Sequence, residues 1–380
     1  MDFSWTAAQD EYRHRLREIL TRELPPNWME DYAHGRGTPK EVAFARTFCP
    51  KLAAEGLLIP HWPSEYGGAD GDAWEHFILS EEMWVWGDPR GPQYMNVNWI
   101  GPTLMRFGTE DQKAEHLGRI AGGDVIWCQG FSEPQAGTDL AALQTRATRT
   151  DTGYLINGSK IWTSYAQTAD WCFLLARTGP ERKAISVFMV DMRTPGIEVV
   201  PIPGLVEEGH IHEVFFRDVE APFSALLGEE GKGWDIATTA LGFERVGIPR
   251  YQLGRTAMDG AVAKLKREGR YDDPLVRANA ARIIAKLEAA RWLTYLVVHQ
   301  RATNQPASVD TNIARVTNAE AMTDTLNFLM DYVPDCLTSN DDPFLRLFYR
   351  YGITNTITSG AYELQLNMIA QRALNLPRSR

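Results

Sequence analysis

The sequence predicts a mainly α-helical protein with a β-domain in its middle. Three observations carry this reading: apolar residues recur at helical spacing up to about residue 125, the period changes to two within 126–230, and helical spacing returns from 231 to the end. A chain of 380 residues is long enough for two or three domains with sizeable cores, and the period changes set their limits at 1–125, 126–230 and 231–380.

Taken in order, the stretch from Trp5 to Leu20 has helical apolar spacing, an N-cap candidate in Thr6 and a stop at Pro25-Pro26. Pro60, Pro63 and Gly67-Gly68 mark a loop, and Thr109-Glu-Asp-Gln-Lys113 reads as a capping box opening the next helix. In the middle third, Asn157-Gly158 lies between Tyr154-Leu-Ile156 and Lys160-Ile-Trp162, which predicts a hairpin with a type I′ turn. Further strands are expected at 171–176, 184–191, 196–201 and 213–219, a spacing that favours a compact antiparallel sandwich or barrel. The last third predicts four long helices over 234–266, 274–301, 311–333 and 344–374, the raw material of a bundle.

Composition excludes several classes. Lys and Arg number 39 against 49 Asp and Glu, a net charge of −10, so a nucleic-acid surface is disfavoured. No apolar run approaches the ~18 residues of a membrane helix; the densest is Ile185-Ser-Val-Phe-Met-Val190. The first residues carry Asp2, Asp10, Glu11, Arg13 and Arg15 and no signal-peptide core. Cys49, Cys128, Cys172 and Cys336 lack CxxC spacing, which argues against a disulfide framework or a zinc ribbon. A soluble cytoplasmic protein is expected. Its 12 Trp and 13 Tyr suit a chain that encloses a flat organic group, although cores use them too.

Weak motifs are set aside first. No GxGxxG follows a strand, so a dinucleotide fold of the Rossmann type has no support. Gly228-Glu-Glu-Gly-Lys-Gly233 has the wrong spacing for a phosphate loop and places two carboxylates where phosphate would sit. His210-Ile-His212 near Glu208 and Glu213 lacks a third metal ligand at a recognised spacing, and no metal is expected. Two segments stand out. Trp127-Cys-Gln-Gly-Phe-Ser-Glu-Pro-Gln-Ala-Gly-Thr-Asp-Leu140 combines small residues with hydroxyls that would let a polar ligand approach the backbone. Asn157-Gly-Ser-Lys-Ile-Trp-Thr-Ser164 sets the Trp162 indole and the Ser164 hydroxyl two residues apart on one strand face.

Together these segments resemble the acyl-CoA dehydrogenases. Pro63-Ser-Glu-Tyr-Gly-Gly68 and Gly108-Thr-Glu-Asp-Gln-Lys113 are similar to the family's helical-domain signatures, Phe131-Ser-Glu-Pro-Gln-Ala-Gly-Thr-Asp139 to its first flavin motif, and Gly158-Ser-Lys-Ile-Trp-Thr-Ser164 to its second. The matches span nearly the whole chain. The resemblance implies an N-terminal helical domain, a middle β-barrel or sandwich, a C-terminal four-helix bundle and an FAD cofactor. It places Phe131 and Ser132 at the pyrimidine side of the flavin, Trp162 against the isoalloxazine and Ser164 near its N5/O4 edge. Gln129, Gly137, Thr138 and Thr163 complete the cofactor set; Gln129 stands where the family often has an aromatic residue. Thr138 also reaches the pantetheine, and Phe243, Arg245 and Ser359 join it on the substrate side.

The implied reaction converts an acyl-CoA thioester to its trans-2-enoyl-CoA, with an electron-transfer flavoprotein or similar acceptor reoxidising the flavin. A base is needed. Many members carry a glutamate in a Tyr-Glu-Gly-Thr segment, where this chain has Thr358-Ser-Gly-Ala361; Ser359 cannot serve as a base, and Glu363 lies one turn beyond. Others carry the base on the first long helix of the bundle beside an arginine, which Glu244-Arg245 matches. Glu244 also lies in the mostly apolar stretch Ile236–Ile248, where burial raises a carboxylate pKa.

Two departures matter. Family homotetramers lend each neighbour an Arg-x-x-Phe-Gly loop and a Gln-x-x-Gly-Gly-x-Gly turn. This chain has Gly269-Arg-Tyr-Asp-Asp-Pro274 and Asn327-Phe-Leu-Met-Asp-Tyr-Val333 in those places. The pattern resembles the flavin-side subunit of heteromeric α2β2 acyl-CoA dehydrogenases of steroid and other bulky acyl-CoA catabolism, and implies a homologous partner subunit. A flavin oxidase or monooxygenase and a catalytically silent structural subunit remain open.

Overall fold

The computed structural model describes residues 4–32, 37–182, 184–205, 210–244, 248–306, 308–339, 342–358 and 360–377, the side chains of Asp31, Tyr32 and Glu244 excepted. In chain order the helices are α1 (Ala7–Glu23), α2 (Trp28–Tyr32), α3 (Pro39–Ala54), α4 (Ala73–Val85), α5 (Gln93–Met95), α6 (Gly101–Phe107) and α7 (Glu110–Ala121). After the strands come α8 (Gly233–Glu244), α9 (Tyr251–Arg267), α10 (Pro274–Ala302), α11 (Asp310–Tyr332), α12 (Pro343–Thr354) and α13 (Tyr362–Arg372). The strands are β1 (Trp127–Gly130), β2 (Arg146–Arg149), β3 (Gly153–Ser164), β4 (Trp171–Arg177), β5 (Ile185–Asp191), β6 (Ile197–Pro201), β7 (Ile211–Pro222) and β8 (Leu226–Leu227). Helical ends and a central sheet are what the sequence predicts. Contacts divide the chain into one unit of residues 1–34, 71–88 and 245–380, and another of 35–70 and 89–244.

The first unit is helical. Thr6 caps α1 as expected, in a reciprocal capping box with Gln9 that satisfies two of the free amides at the helix start. Its core gathers Phe77 and Trp84 of α4, Met258 and Leu265 of α9, Ile283 and Leu287 of α10, and Met322 and Leu329 of α11. The expected helix over 234–266 is in fact two, α8 and α9, with Pro249 in the intervening segment; proline lacks the amide a helix interior requires. The stretch 344–374 likewise divides into α12 and α13, with Gly360 between them at φ +95°.

A carboxylate is buried within this core. Glu81 of α4 accepts hydrogen bonds from Arg13 Nη2 at 2.5 Å, Tyr251 Oη at 2.5 Å and Tyr295 Oη at 2.8 Å, so α1, α9 and α10 converge on one side chain of α4. Adjacent Glu82 takes Arg13 Nη1 at 2.5 Å and Arg17 Nε at 2.8 Å. Burial and the neighbouring Glu81 charge push both phenols above the usual tyrosine range.

The second unit holds one eight-stranded sheet in the order β6-β7-β3-β2-β4-β5-β8, with β1 added beside β4. It is mostly antiparallel, but β1 and β2 each pair with β4 in parallel, a feature the strand spacing did not reveal. The predicted Asn157-Gly158 hairpin is absent. β3 runs unbroken through both residues, and the irregularity lies opposite, in β7, where Asp218 is left-handed at φ +51°. Asn157 Nδ2 donates to Asp218 Oδ1 at 3.0 Å and Asp218 N to Asn157 Oδ1 at 2.9 Å, which closes that bulge. Gly158 is required for space: a Cβ there would lie 2.5 Å from Thr145 Oγ1.

Replacing Glu81 by leucine orphans two buried phenols at a cost of about 1–3 kcal/mol each. Glu81→Leu should therefore lower the urea midpoint of the full chain well below that of Tyr251→Phe, which removes a single donor. Equal midpoints would show that the carboxylate does not organise this unit.

Candidate functional site

The two segments singled out from the sequence meet on the sheet of the second unit. Gln129 lies on β1, where its Oε1 accepts from Trp99 Nε1 at 2.8 Å. That contact fixes the amide orientation and leaves Nε2 as a free donor. The chain then enters the loop 131–139. Phe131 is buried with its ring centroid 6.0 Å from that of Phe173 on β4, and Ser132 accepts Ile161 N of β3 at 2.9 Å through its carbonyl. The loop is thus sewn to the strand that carries Trp162.

A buried ion pair sets the loop's shape. Lys160 Nζ donates to Glu133 Oε1 at 2.7 Å and to the Phe131 carbonyl at 3.1 Å. Glu133 also accepts the amides of Gln144 at 2.5 Å and Thr145 at 2.8 Å. Burial pulls the Lys160 ammonium below the usual lysine range. Burial works against the Glu133 charge as well, but Lys160 and the hydrogen bonds outweigh it and hold the carboxyl below its ordinary range. Gly130 leaves room beside this pair, since a Cβ there would meet Cys172 Sγ at 2.9 Å. Lys160, Glu133 and Trp99 were not among the expected site residues; a charged residue at an inward position of an alternating strand was the available signal for Lys160.

Strand β3 changes face at a bulge. Lys160 pairs with Val214 and Thr163 with His212, so Ile161 and Trp162 together oppose Glu213. Trp162 adopts φ +61°, a conformation uncommon for a bulky residue. Had pairing continued in register, Trp162 would have stood opposite His212 on the buried face; the extra residue sends Thr163 inward and turns Trp162 out. The indole is 58% exposed, whereas Thr163 is buried and Ser164 half-buried. Gly137 and Thr138 are exposed on the loop, and a Cβ at Gly137 would meet open space. Among the described residues, the hydroxyls of Ser132, Thr138 and Ser164 have no protein partner. An exposed indole accompanied by free hydroxyls and a free amide donor fits a planar heterocycle with polar edges.

Phe243 is half-buried in the last turn of α8. Glu244 closes that helix one turn after Ala240 and two after Ala237, both buried. The Glu244 side chain, Arg245 and Ser359 lie outside the described residues, and Glu363 is exposed in the first turn of α13. Gly228–Gly233 leads into α8. Residues 327–332 continue α11, with Phe328 and Leu329 buried. Among the described residues no cluster of His, Cys, Asp or Glu could hold a metal, all four cysteines are free and buried, and no helix is long and apolar enough to cross a membrane.

The family models for the acyl-CoA dehydrogenase N-terminal, middle and C-terminal domains match residues 6–124, 128–219 and 231–374. The chain is 33% identical to acyl-CoA dehydrogenase IpdE1 of Mycobacterium tuberculosis over 97% of its length and 98% of that protein. It is 30% identical to acyl-CoA dehydrogenase FadE26 of the same organism over the whole of both chains. Among solved structures, the Tcur3481-Tcur3483 steroid acyl-CoA dehydrogenase superposes with a TM-score of 0.90 at 32% identity over the whole of both chains. The ChsE4-ChsE5 complex of Mycobacterium tuberculosis gives 0.86 at 28%, again over both whole chains. The chain belongs to the acyl-CoA dehydrogenase family.

Removing one partner of a buried pair costs about 3–5 kcal/mol, whereas replacing both by apolar groups is often near neutral. Lys160→Met should therefore depress the thermal midpoint strongly, and Lys160→Met with Glu133→Leu should recover most of the loss. A double variant no better than the single one would show that the loop does not depend on this pair.

Proposed function

We propose that the chain catalyses FAD-dependent α,β-dehydrogenation of a bulky acyl-CoA, of the steroid side-chain kind, as one subunit of a heteromer. The observation that carries the reading is the outward, left-handed Trp162 with free hydroxyls at Ser132 and Ser164, in a chain alike over its whole length to acyl-CoA dehydrogenases. Phe131, Ser132, Trp162, Thr163 and Ser164 would hold the isoalloxazine, and Gln129, Gly137 and Thr138 its surroundings. Bound FAD supplies a two-electron acceptor.

In this reading Glu244 takes the α-proton onto a carboxylate oxygen. Its place at the end of α8, one turn after buried Ala240 and two after buried Ala237, supports the assignment, since a base beside apolar side chains is the kind the reaction needs. Phe243 and Thr138 contact the acyl-CoA, Arg245 fixes the base, and the Ser359 amide donates to the thioester oxygen, where charge develops. The homologous partner subunit supplies the half of the cofactor site that this chain lacks. The steroid and two-component names of the similar structures support that assignment, as does a continuous α11 in place of a glycine turn. An electron-transfer flavoprotein or similar carrier reoxidises the flavin.

Two experiments test the proposal. Glu244→Gln, co-expressed with a homologous partner, should keep FAD and lose at least about 100-fold in anaerobic flavin bleaching by steroid-type acyl-CoA; retained bleaching moves the base elsewhere. The chain purified alone should lack stoichiometric FAD, and stoichiometric FAD with full turnover from the chain alone would remove the partner from the account.

A further inference from the structure

Trp162 points outward only because the bulge at Ile161-Trp162 persists, and the bulge has two fastenings. On its N-terminal side Ile161 N donates to the Ser132 carbonyl at 2.9 Å. On its C-terminal side the Thr163 carbonyl lies 3.2 Å from Nδ1 of His212, a fully buried side chain on β7. A carbonyl oxygen only accepts, so Nδ1 carries the proton and Nε2 keeps its lone pair. Nε2 has no partner, and neither does the buried Thr163 Oγ1 of the paired residue. An imidazole kept inside a sheet with one nitrogen unsatisfied costs free energy, and apolar side chains would fill the space without that cost. Burial holds the ring below the usual histidine range, so it stays neutral and Nδ1–H remains aimed at the carbonyl.

We propose that His212 is a positioning residue for the flavin: by holding the Thr163 carbonyl through Nδ1–H, it locks the bulge that presents the Trp162 indole and the Ser164 hydroxyl. The proposal rests on Trp162–Ser164 being the flavin face. A tryptophan at positive φ carries strain of about 1–3 kcal/mol, and the His212 hydrogen bond offsets part of it. Without that bond the strand can relax toward regular pairing, in which Trp162 turns inward and Thr163 outward. His212 touches no reacting group in this account; it acts through the backbone of Thr163.

The test compares His212→Asn, whose amide nitrogen can take the place of Nδ1, with His212→Leu and His212→Gln, which cannot place a donor there. Each full-length chain is co-expressed with the homologous partner and titrated with FAD, and the bound flavin's fluorescence is recorded beside wild type and Trp162→Phe. The indole is expected to quench the flavin in wild type and in His212→Asn. Loss of one hydrogen bond predicts about ten-fold weaker FAD binding and partial release of the quench in His212→Leu and His212→Gln. If all three His212 variants match wild type in affinity and quench, the positioning role is overturned. If Trp162→Phe leaves affinity and fluorescence unchanged, the flavin-face reading fails by itself, whatever the His212 variants do. Should His212→Leu fail to fold, the Asn and Gln variants give the same comparison between two polar side chains of similar size.

Discussion

One inserted residue governs the middle of this protein. Strand β3 must do two incompatible things: bury Lys160 against Glu133, and two residues later expose Trp162. Strict alternation forbids this, because residues two apart share a face. The bulge at Ile161-Trp162 resolves the conflict by shifting parity once, and the cost is concentrated in one left-handed tryptophan. The loop 131–139 is fastened at the same place, since the Ser132 carbonyl receives the amide of Ile161. Indole, hydroxyls and loop are therefore one device.

Charge buried around the site supports this device. Lys160 reaches the Glu133 carboxylate and the Phe131 carbonyl together, and Glu133 in turn gathers the amides of Gln144 and Thr145. In the helical unit, Glu81 does something comparable for α1, α4, α9 and α10. Each carboxylate gives several segments a shared, directional anchor that apolar packing alone would not specify.

Much of the fold was legible because the period of apolar residues changes twice along the chain. The strands near 171–176, 184–191 and 196–201 appear almost where alternation placed them, and Thr6 and Thr109 cap their helices. What misled was local chemistry with a second use. Asn157-Gly158 has the composition of a turn, yet the asparagine clasps Asp218 across the sheet and the glycine makes room for Thr145. Pro249 and Gly360 were visible, but periodicity carried across them hid the breaks between α8 and α9 and between α12 and α13. Of the site, the exposed tryptophan and its serine were readable as a motif. The residues beneath them were not, because His212 and Trp99 come close through strand pairing and helix packing that no local spacing encodes.

The end of α11 has a consequence for how such a chain can change. Phe328 and Leu329, near the C-terminal end of α11, occupy the core of the helical unit. Opening a turn there would mean unwinding the last coil and returning both side chains to water, at about 1.5–3 kcal/mol apiece. No single substitution accomplishes that. A helix end closed in this way behaves as a ratchet: once the two side chains are buried, descendants keep the closed form even where an open turn would be advantageous.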